Sequence, residues 1–106
     1  MADFLGLMKQ ANELKSKMDA LQAELDLIEV EGSAGGGMVI VKMTAKGEVK
    51  SVHIDPSLMK PEEKEVTEDL IVAAHADARR RAEATLQEKM KNLAGGLPLP
   101  PGLKLF

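Results

Sequence analysis

Residues 4–28 read FLGLMKQANELKSKMDALQAELDLI, and this stretch decides the fold. Phe4, Leu7, Ala11, Leu14, Met18, Leu21, Leu25 and Ile28 recur at alternating spacings of three and four residues. An α-helix turns once every ~3.6 residues, so this spacing gathers the eight side chains into a narrow apolar seam over about four heptads. The spacing predicts one long helix over residues 3–28. Its flanks are polar: Lys9, Gln10, Glu13, Lys15, Lys17, Asp19, Gln22, Glu24 and Asp26. Glu13 precedes Lys17 by four residues, the favourable order for an ion pair along a helix, and Lys15 and Lys17 fall at the e and g positions beside the seam. A small sheet alone does not bury so narrow a seam, which calls for a second long helix. The candidate is residues 65–93. Two long helices that bracket a short β region imply an elongated molecule rather than a compact enzyme.

From Val30 the period changes. Val30-Glu31-Gly32-Ser33-Ala34 reads as a short first strand, and Gly35-Gly36-Gly37 as a turn. Residues 38–45 form the clearest strand, with Val39, Val41 and Met43 on one face and Lys42 and Thr44 on the other. Lys46-Gly47 marks a tight hairpin turn before a third strand over residues 48–54. Val52 and Ile54 share a face there, but Val49 is out of phase with them, which calls for a bulge or burial on both sides. Asp55 is placed to cap a short helical turn with Pro56 at its first position. Lys60-Pro61 then opens the second long helix, whose apolar side carries Leu70, Ile71, Ala74, Ala78, Ala82, Leu86, Met90 and Leu93. Its Ala-rich middle admits close approach of another backbone. Ala94-Gly95-Gly96 stops the helix. Residues 95–106 have no periodicity, are rich in Pro and Gly, and are expected to be a disordered tail whose Leu and Phe residues are able to dock elsewhere. The expected fold class is α+β: one domain over residues 1–94 with about three antiparallel strands, then the tail. So small a sheet leaves edges exposed, and a dimer that covers them is the economical solution.

At 106 residues with two Phe, no Trp and no Tyr, the chain lacks the aromatic lining usual in substrate pockets and single-strand platforms. The absence of Cys removes disulfides, thiolate metal sites and a cysteine nucleophile. Met1-Ala2-Asp3 leads directly into a charged helix rather than a signal peptide, and no apolar run approaches the ~20 residues of a membrane span, so a cytoplasmic protein is expected. The net charge is -3 and the pI about 5.4. The charge is unevenly placed: residues 61–78 sum to -5 and residues 79–91 to +3. This suits the helix macrodipole, and it also leaves a local field able to steer a polyanion.

The candidate chemistries are few. Gly35-Gly36-Gly37 leads into a strand, without the helix N-terminus and Lys-Ser/Thr pair of a phosphate loop, so it reads as a hairpin connection. His53 and His75 have no partner at metal-ligand or triad spacing. Asp55 and Ser57 are explained by capping. Glu62, Glu63, Glu65, Glu68 and Asp69 follow no calcium-loop spacing and suit a helix start. No cofactor, metal or small-molecule substrate is expected, and no enzymatic activity. Arg79-Arg80-Arg81 is the sharpest basic feature. Successive helical residues stand about 100° apart, so the three fan around the helix, with Arg80 furthest from the side marked by Ala78 and Ala82. Asp77 is placed to pair with Arg80 or Arg81 and cancel part of the charge.

The whole chain resembles the YbaB/EbfC family of bacterial nucleoid-associated DNA-binding proteins. The resemblance is carried by Met8-Lys9-Gln10-Ala11, by Val30 through Val39 with its three glycines, by Lys46-Gly47-Glu48-Val49-Lys50-Ser51-Val52-His53-Ile54-Asp55-Pro56-Ser57, by Glu68-Asp69-Leu70-Ile71-Val72-Ala73-Ala74, and by the Gly-Pro-Leu tail. Two departures stand out: Ala76-Asp77-Ala78 where members often carry Asn-Asp-Ala, and His53 where many have Lys. The resemblance implies a homodimer with projecting helical arms, located in the nucleoid, that binds duplex DNA and alters its shape. On that implication the contact residues are Lys9, Lys15 and Lys17 on the first helix and Arg79, Arg80, Arg81, Lys89 and Lys91 on the last. Helical arms that grip a partner protein, without direct DNA binding, form the alternative.

Overall fold

The structure, a computed structural model, describes residues 2–95. Helix α1 (Ala2–Leu27) leads into strands β1 (Glu29–Ala34), β2 (Val39–Thr44) and β3 (Val49–Ile54). Two 3-10 turns, Pro56–Leu58 and Pro61–Glu63, then lead into helix α2 (Lys64–Gly95). This is the expected α+β order. The disordered tail expected from residue 95 lies, from residue 96 onward, outside the described residues.

The strands form an antiparallel meander in the order β1-β2-β3. Gly35, Gly36 and Gly37 all have positive φ, a conformation in which a β-carbon is strained, and they turn β1 into β2. Between β2 and β3 the register slips at Lys42/Met43, so that Val41 faces Val52 while Met43 faces Val49. The slip is the bulge that the phase of Val49 calls for. It returns Val49 to the face shared by Val52 and Ile54. Asp55 caps the first 3-10 turn, accepting from the Ser57 N–H at 2.9 Å with Pro56 at the first position. That contact holds the Asp55 carboxyl below its ordinary value.

The first part of α2 lies across β1 and β2. Val39, Val41 and Met43 from β2, Leu58 from the first turn, and Ala74, Ala78 and Ala82 from α2 make one buried cluster. Three alanines four residues apart strip one helix face of bulk, and β1 meets that face with Gly32. A β-carbon on Gly32 would stand 2.6 Å from the Ala78 Cα and collide with Ala78 N and Ala74 O. Sheet and helix therefore touch backbone to backbone.

Beyond the sheet, the end of α2 meets the end of α1. Leu21, Leu25 and Ala45 are buried there, packed by Met18, Ile28, Met90 and Leu93. Ala45 N–H donates to the Ile28 carbonyl at 2.9 Å, which ties the foot of α1 to the end of β2. Both helices leave the sheet from this end, α1 traced backwards and α2 forwards, so they run antiparallel. Within the chain, α2 covers only the inner half of the seam. Only Met18, Leu21, Leu25 and Ile28 are covered, while Phe4, Leu7, Ala11 and Leu14 are exposed. The reason is length: α2 spends Leu70 to Ala82 on the sheet, and what remains reaches only to about Lys17. The result is an elongated molecule of 72 × 25 × 16 Å.

α2 lies over β1 and β2 and leaves most of β3 uncovered. Val49 and Val52 point to the same side as the core yet remain 46% and 45% exposed. The side of the sheet nearest β3 is thus an open apolar ledge.

Candidate nucleic-acid interface

Each arginine of the basic run is held by an acid on its own helix. Arg79 pairs with Glu83 at 3.3 Å, and Arg80 and Arg81 both pair with Asp77, at 3.5 and 3.4 Å. All three remain largely exposed, Arg80 most of all, as its helical angle requires. Asp77 has a further partner: its Oδ2 accepts the backbone N–H of Ser33 at 3.0 Å. That bond, then the two guanidinium groups, hold the Asp77 carboxyl below its ordinary value. One carboxylate thus anchors β1 to α2 and fixes two arginines beside it.

The lysines divide. Lys89 reaches across to Glu24 of α1 at 2.6 Å, and this contact raises its pKa. Lys9, Lys15, Lys17 and Lys91 are exposed and form no ion pair among the described residues. The favourable Glu13–Lys17 spacing closes no ion pair, so both Lys15 and Lys17 present unpaired charge beside the seam. Lys17 shares one wall of a 350 Å³ cleft with Leu21 and Glu24, and Lys89, Asn92 and Leu93 form the other. The structure therefore brings Lys17 and Lys89 together across the two helices. Arg79–Arg81 stand about 12 Å further down α2, and Lys9 about 12 Å further out along α1, at 1.5 Å per residue. The eight residues trace the long axis of the molecule and do not converge on one pocket.

Lys50, Lys60 and Lys64 are exposed cations that likewise form no ion pair among the described residues, and sequence reasoning passed over them. Their signal is weak, because each is an isolated Lys in a turn, an edge strand or an acidic helix start. His53 lies on β3, exposed, opposite Ile40 on the sheet face turned away from α2. His75 is half-buried and lines a 360 Å³ cleft between α2 and the β2–β3 turn, beside Arg79 and Glu83. No group of three or more His, Asp or Glu able to hold a metal occurs among the described residues. No helix is long and apolar enough to cross a membrane among them.

A strand meander overlaid by one helix, with cations strung along two antiparallel helical arms, can be compared with known proteins. The profile of the YbaB/EbfC DNA-binding family matches residues 1–97. The chain belongs to that family. A protein named "Nucleoid-associated protein" from Rhodopseudomonas palustris strain BisB5 is 70% identical over 105 residues, 99% of each chain. One of the same name from Nitrobacter hamburgensis is 67% identical over 105 residues, again 99% of each. Among solved structures, an uncharacterized protein of Helicobacter pylori aligns with a TM-score of 0.68 at 28% identity, covering 84% of this chain and 89% of that one. Membership places the helix–meander–helix order in a known fold.

Proposed function

We propose that this family member is a nucleoid protein that binds duplex DNA as a homodimer, chiefly through phosphate contacts. On this reading it alters DNA conformation and so influences nucleoid organisation and gene expression. The observation that carries the proposal is the match to a DNA-binding family over residues 1–97. The relatives' names, nucleoid-associated proteins, point the same way. Two structural features support the finer reading. The open ledge of Val49 and Val52 is the kind of surface that a second protomer covers. The unpaired Lys9, Lys15, Lys17 and Lys91, with the exposed Arg79, Arg80 and Arg81, offer charge without a convergent base-reading site. Such cations position a duplex and carry little sequence information. A net charge of -3 makes binding dependent on this local field, and a dimer presents each cation twice.

The test is fluorescence anisotropy with a labelled random duplex across a salt series, alongside sedimentation equilibrium. Binding by a dimer that weakens steadily with salt is the expected outcome. Arg80→Glu with Arg81→Glu should abolish it, while Arg80→Gln with Arg81→Gln, which adds no acid beside Asp77, should weaken it and flatten the salt slope. A folded dimer that binds no duplex at low salt refutes the proposal. The second reading, a protein-interaction adaptor, is favoured by the bare apolar seam of α1. It predicts that the arginine variants leave partner capture intact while Leu7→Asp removes it.

A further inference from the structure

The 360 Å³ cleft between α2 and the β2–β3 turn draws polar groups from both of its walls. Helix α2 supplies His75, Arg79 and Glu83, each four residues from the next and so stacked on one flank of the helix. The turn supplies Lys46 and, at Gly47, a position without a side chain. Asp77, which engages Arg80 and Arg81, stands about 200° around the helix from both His75 and Arg79, so the cleft is separate from that cluster. The turn is held by its own hydrogen bonds. Thr44 N–H donates to the Glu48 carbonyl at 2.8 Å, Gly47 N–H donates to the Thr44 carbonyl at 2.8 Å, and the Thr44 hydroxyl accepts the Glu48 N–H at 3.2 Å. Lys46 therefore extends from a fixed backbone. Its partner Asp26 lies at 3.4 Å, but both side chains meet solvent, and such a pair is worth little against a better acceptor. Arg79 bonds Glu83 through Nε at 3.3 Å, and its two terminal nitrogens form no hydrogen bond among the described residues. Two cations thus share the cleft with one carboxylate, in a chain of net charge -3. His75 adds an N–H donor in either protonation state.

We propose that this cleft binds a phosphate group, with the terminal nitrogens of Arg79 and the Lys46 Nζ taking its oxygens from opposite walls and His75 donating a further hydrogen bond. A guanidinium presents paired N–H groups that match phosphate oxygens, and lysine binds phosphate as a point charge. A tetrahedral oxyanion accepts from two walls at once, whereas a flat carboxylate is satisfied by a single guanidinium. The volume lies at the low end of the ~300–1,000 Å³ of ligand pockets, which suits a phosphate with its waters rather than a large substrate. Two sources share this chemistry: a phosphodiester of a duplex and a free phosphate. The first source rests on the DNA-binding reading above, and it brings the β2–β3 turn, with Lys46 and His75, into a contact so far confined to the helices.

The test is heteronuclear NMR of the full, nitrogen-labelled chain, following the Gly47 amide, the Arg79 Nε–H and the His75 ring. Inorganic phosphate is titrated against sodium chloride of equal ionic strength, and a random duplex is titrated separately. The expected result is a saturable shift of these signals with phosphate and not with chloride. Lys46→Gln should weaken that binding several-fold, and Glu83→Gln, which removes the one acid of the cleft, should strengthen it several-fold. A duplex that moves the same signals, with the two variants in the same order, supports the site and assigns it to the DNA backbone. Phosphate that moves them while the duplex does not supports the site and assigns it to free phosphate. Equal shifts with chloride, or shifts that both variants leave unchanged, overturn the proposal. Signals that stay still with both probes overturn it as well; if the duplex then binds elsewhere on the chain, the DNA-binding reading stands without this site.

Discussion

Replacing Gly32 by Ala tests the closest approach in the fold. The added β-carbon would stand 2.6 Å from Ala78 Cα, and it would also meet Ala78 N and Ala74 O. Ordinary carbon contacts lie at about 3.5–4.0 Å, so α2 must retreat from β1 by roughly 1 Å. All three obstructing atoms are helix backbone, so no side chain can rotate aside. A gap of that size forfeits about a quarter to a half of the dispersion attraction along the face, which includes the fully buried Ala74 and Ala78. Overpacking a core costs about 1–3 kcal/mol, and a two-sided backbone obstruction puts Gly32→Ala at or above the upper end, about 3 kcal/mol. Reduced freedom of the unfolded chain returns about 0.4–1 kcal/mol. The net loss of about 2–3 kcal/mol corresponds to a Tm lower by roughly 8–24 °C. Urea unfolding followed by circular dichroism measures it, since the chain has no Trp. Gly36→Ala is the control. Nothing lies within 4 Å of a β-carbon there, but φ is +69°, so only the left-handed strain of about 1–2 kcal/mol applies. If Gly32→Ala is no more destabilising than Gly36→Ala, the backbone-to-backbone contact is not what holds β1 to α2.

Asp77→Asn keeps an acceptor for the Ser33 N–H but removes the charge that engages Arg80 and Arg81; DNA affinity should rise several-fold at low salt and the slope of log affinity against log salt should steepen by about one per added phosphate contact. Unchanged affinity and slope would show that the arginines do not meet phosphate. Acid should weaken the fold through the same residue. Its carboxyl is depressed when folded, so the stability it contributes is present above the ordinary 3.8 and is lost as pH falls through the lower folded value. Asp77→Asn should flatten acid unfolding in that range, and an identical acid limb would exclude this linkage. Lys89 has the opposite sign. Its pKa is raised by Glu24, so its contribution is present below the ordinary 10.5 and is lost as pH rises through the higher folded value. Amide exchange across residues 18–27 should therefore quicken under strong alkali relative to exchange over the sheet, and Lys89→Met should erase that difference.

The candidate site was legible only in part. The eight cations were visible as residue types, and Asp77 was visible as a local partner because residues three and four apart on a helix are neighbours. Its bond to Ser33 spans 44 positions and the Glu24–Lys89 pair spans two helices, so neither leaves a trace in local pattern. The favourable Glu13–Lys17 spacing misled for the converse reason: spacing permits an exposed pair, but solvent competes with it and contributes no less.

The sequence alone determined the elements, because a helix and a strand each impose their own period on apolar residues and Gly and Pro mark where the period breaks. It left the out-of-phase Val49 to a bulge or to burial on both sides, and the register slip at Lys42/Met43 decided for the bulge. Tertiary structure decided how far α2 travels along the sheet before meeting α1. That depends on Ala74, Ala78 and Ala82 seating against Gly32, a contact between segments more than forty residues apart. This one placement leaves the outer half of the α1 seam and the β3 ledge bare. It also engages Lys89 and leaves Lys9, Lys15 and Lys17 unpaired, because coverage is set by where two rigid elements cross, which no local period encodes.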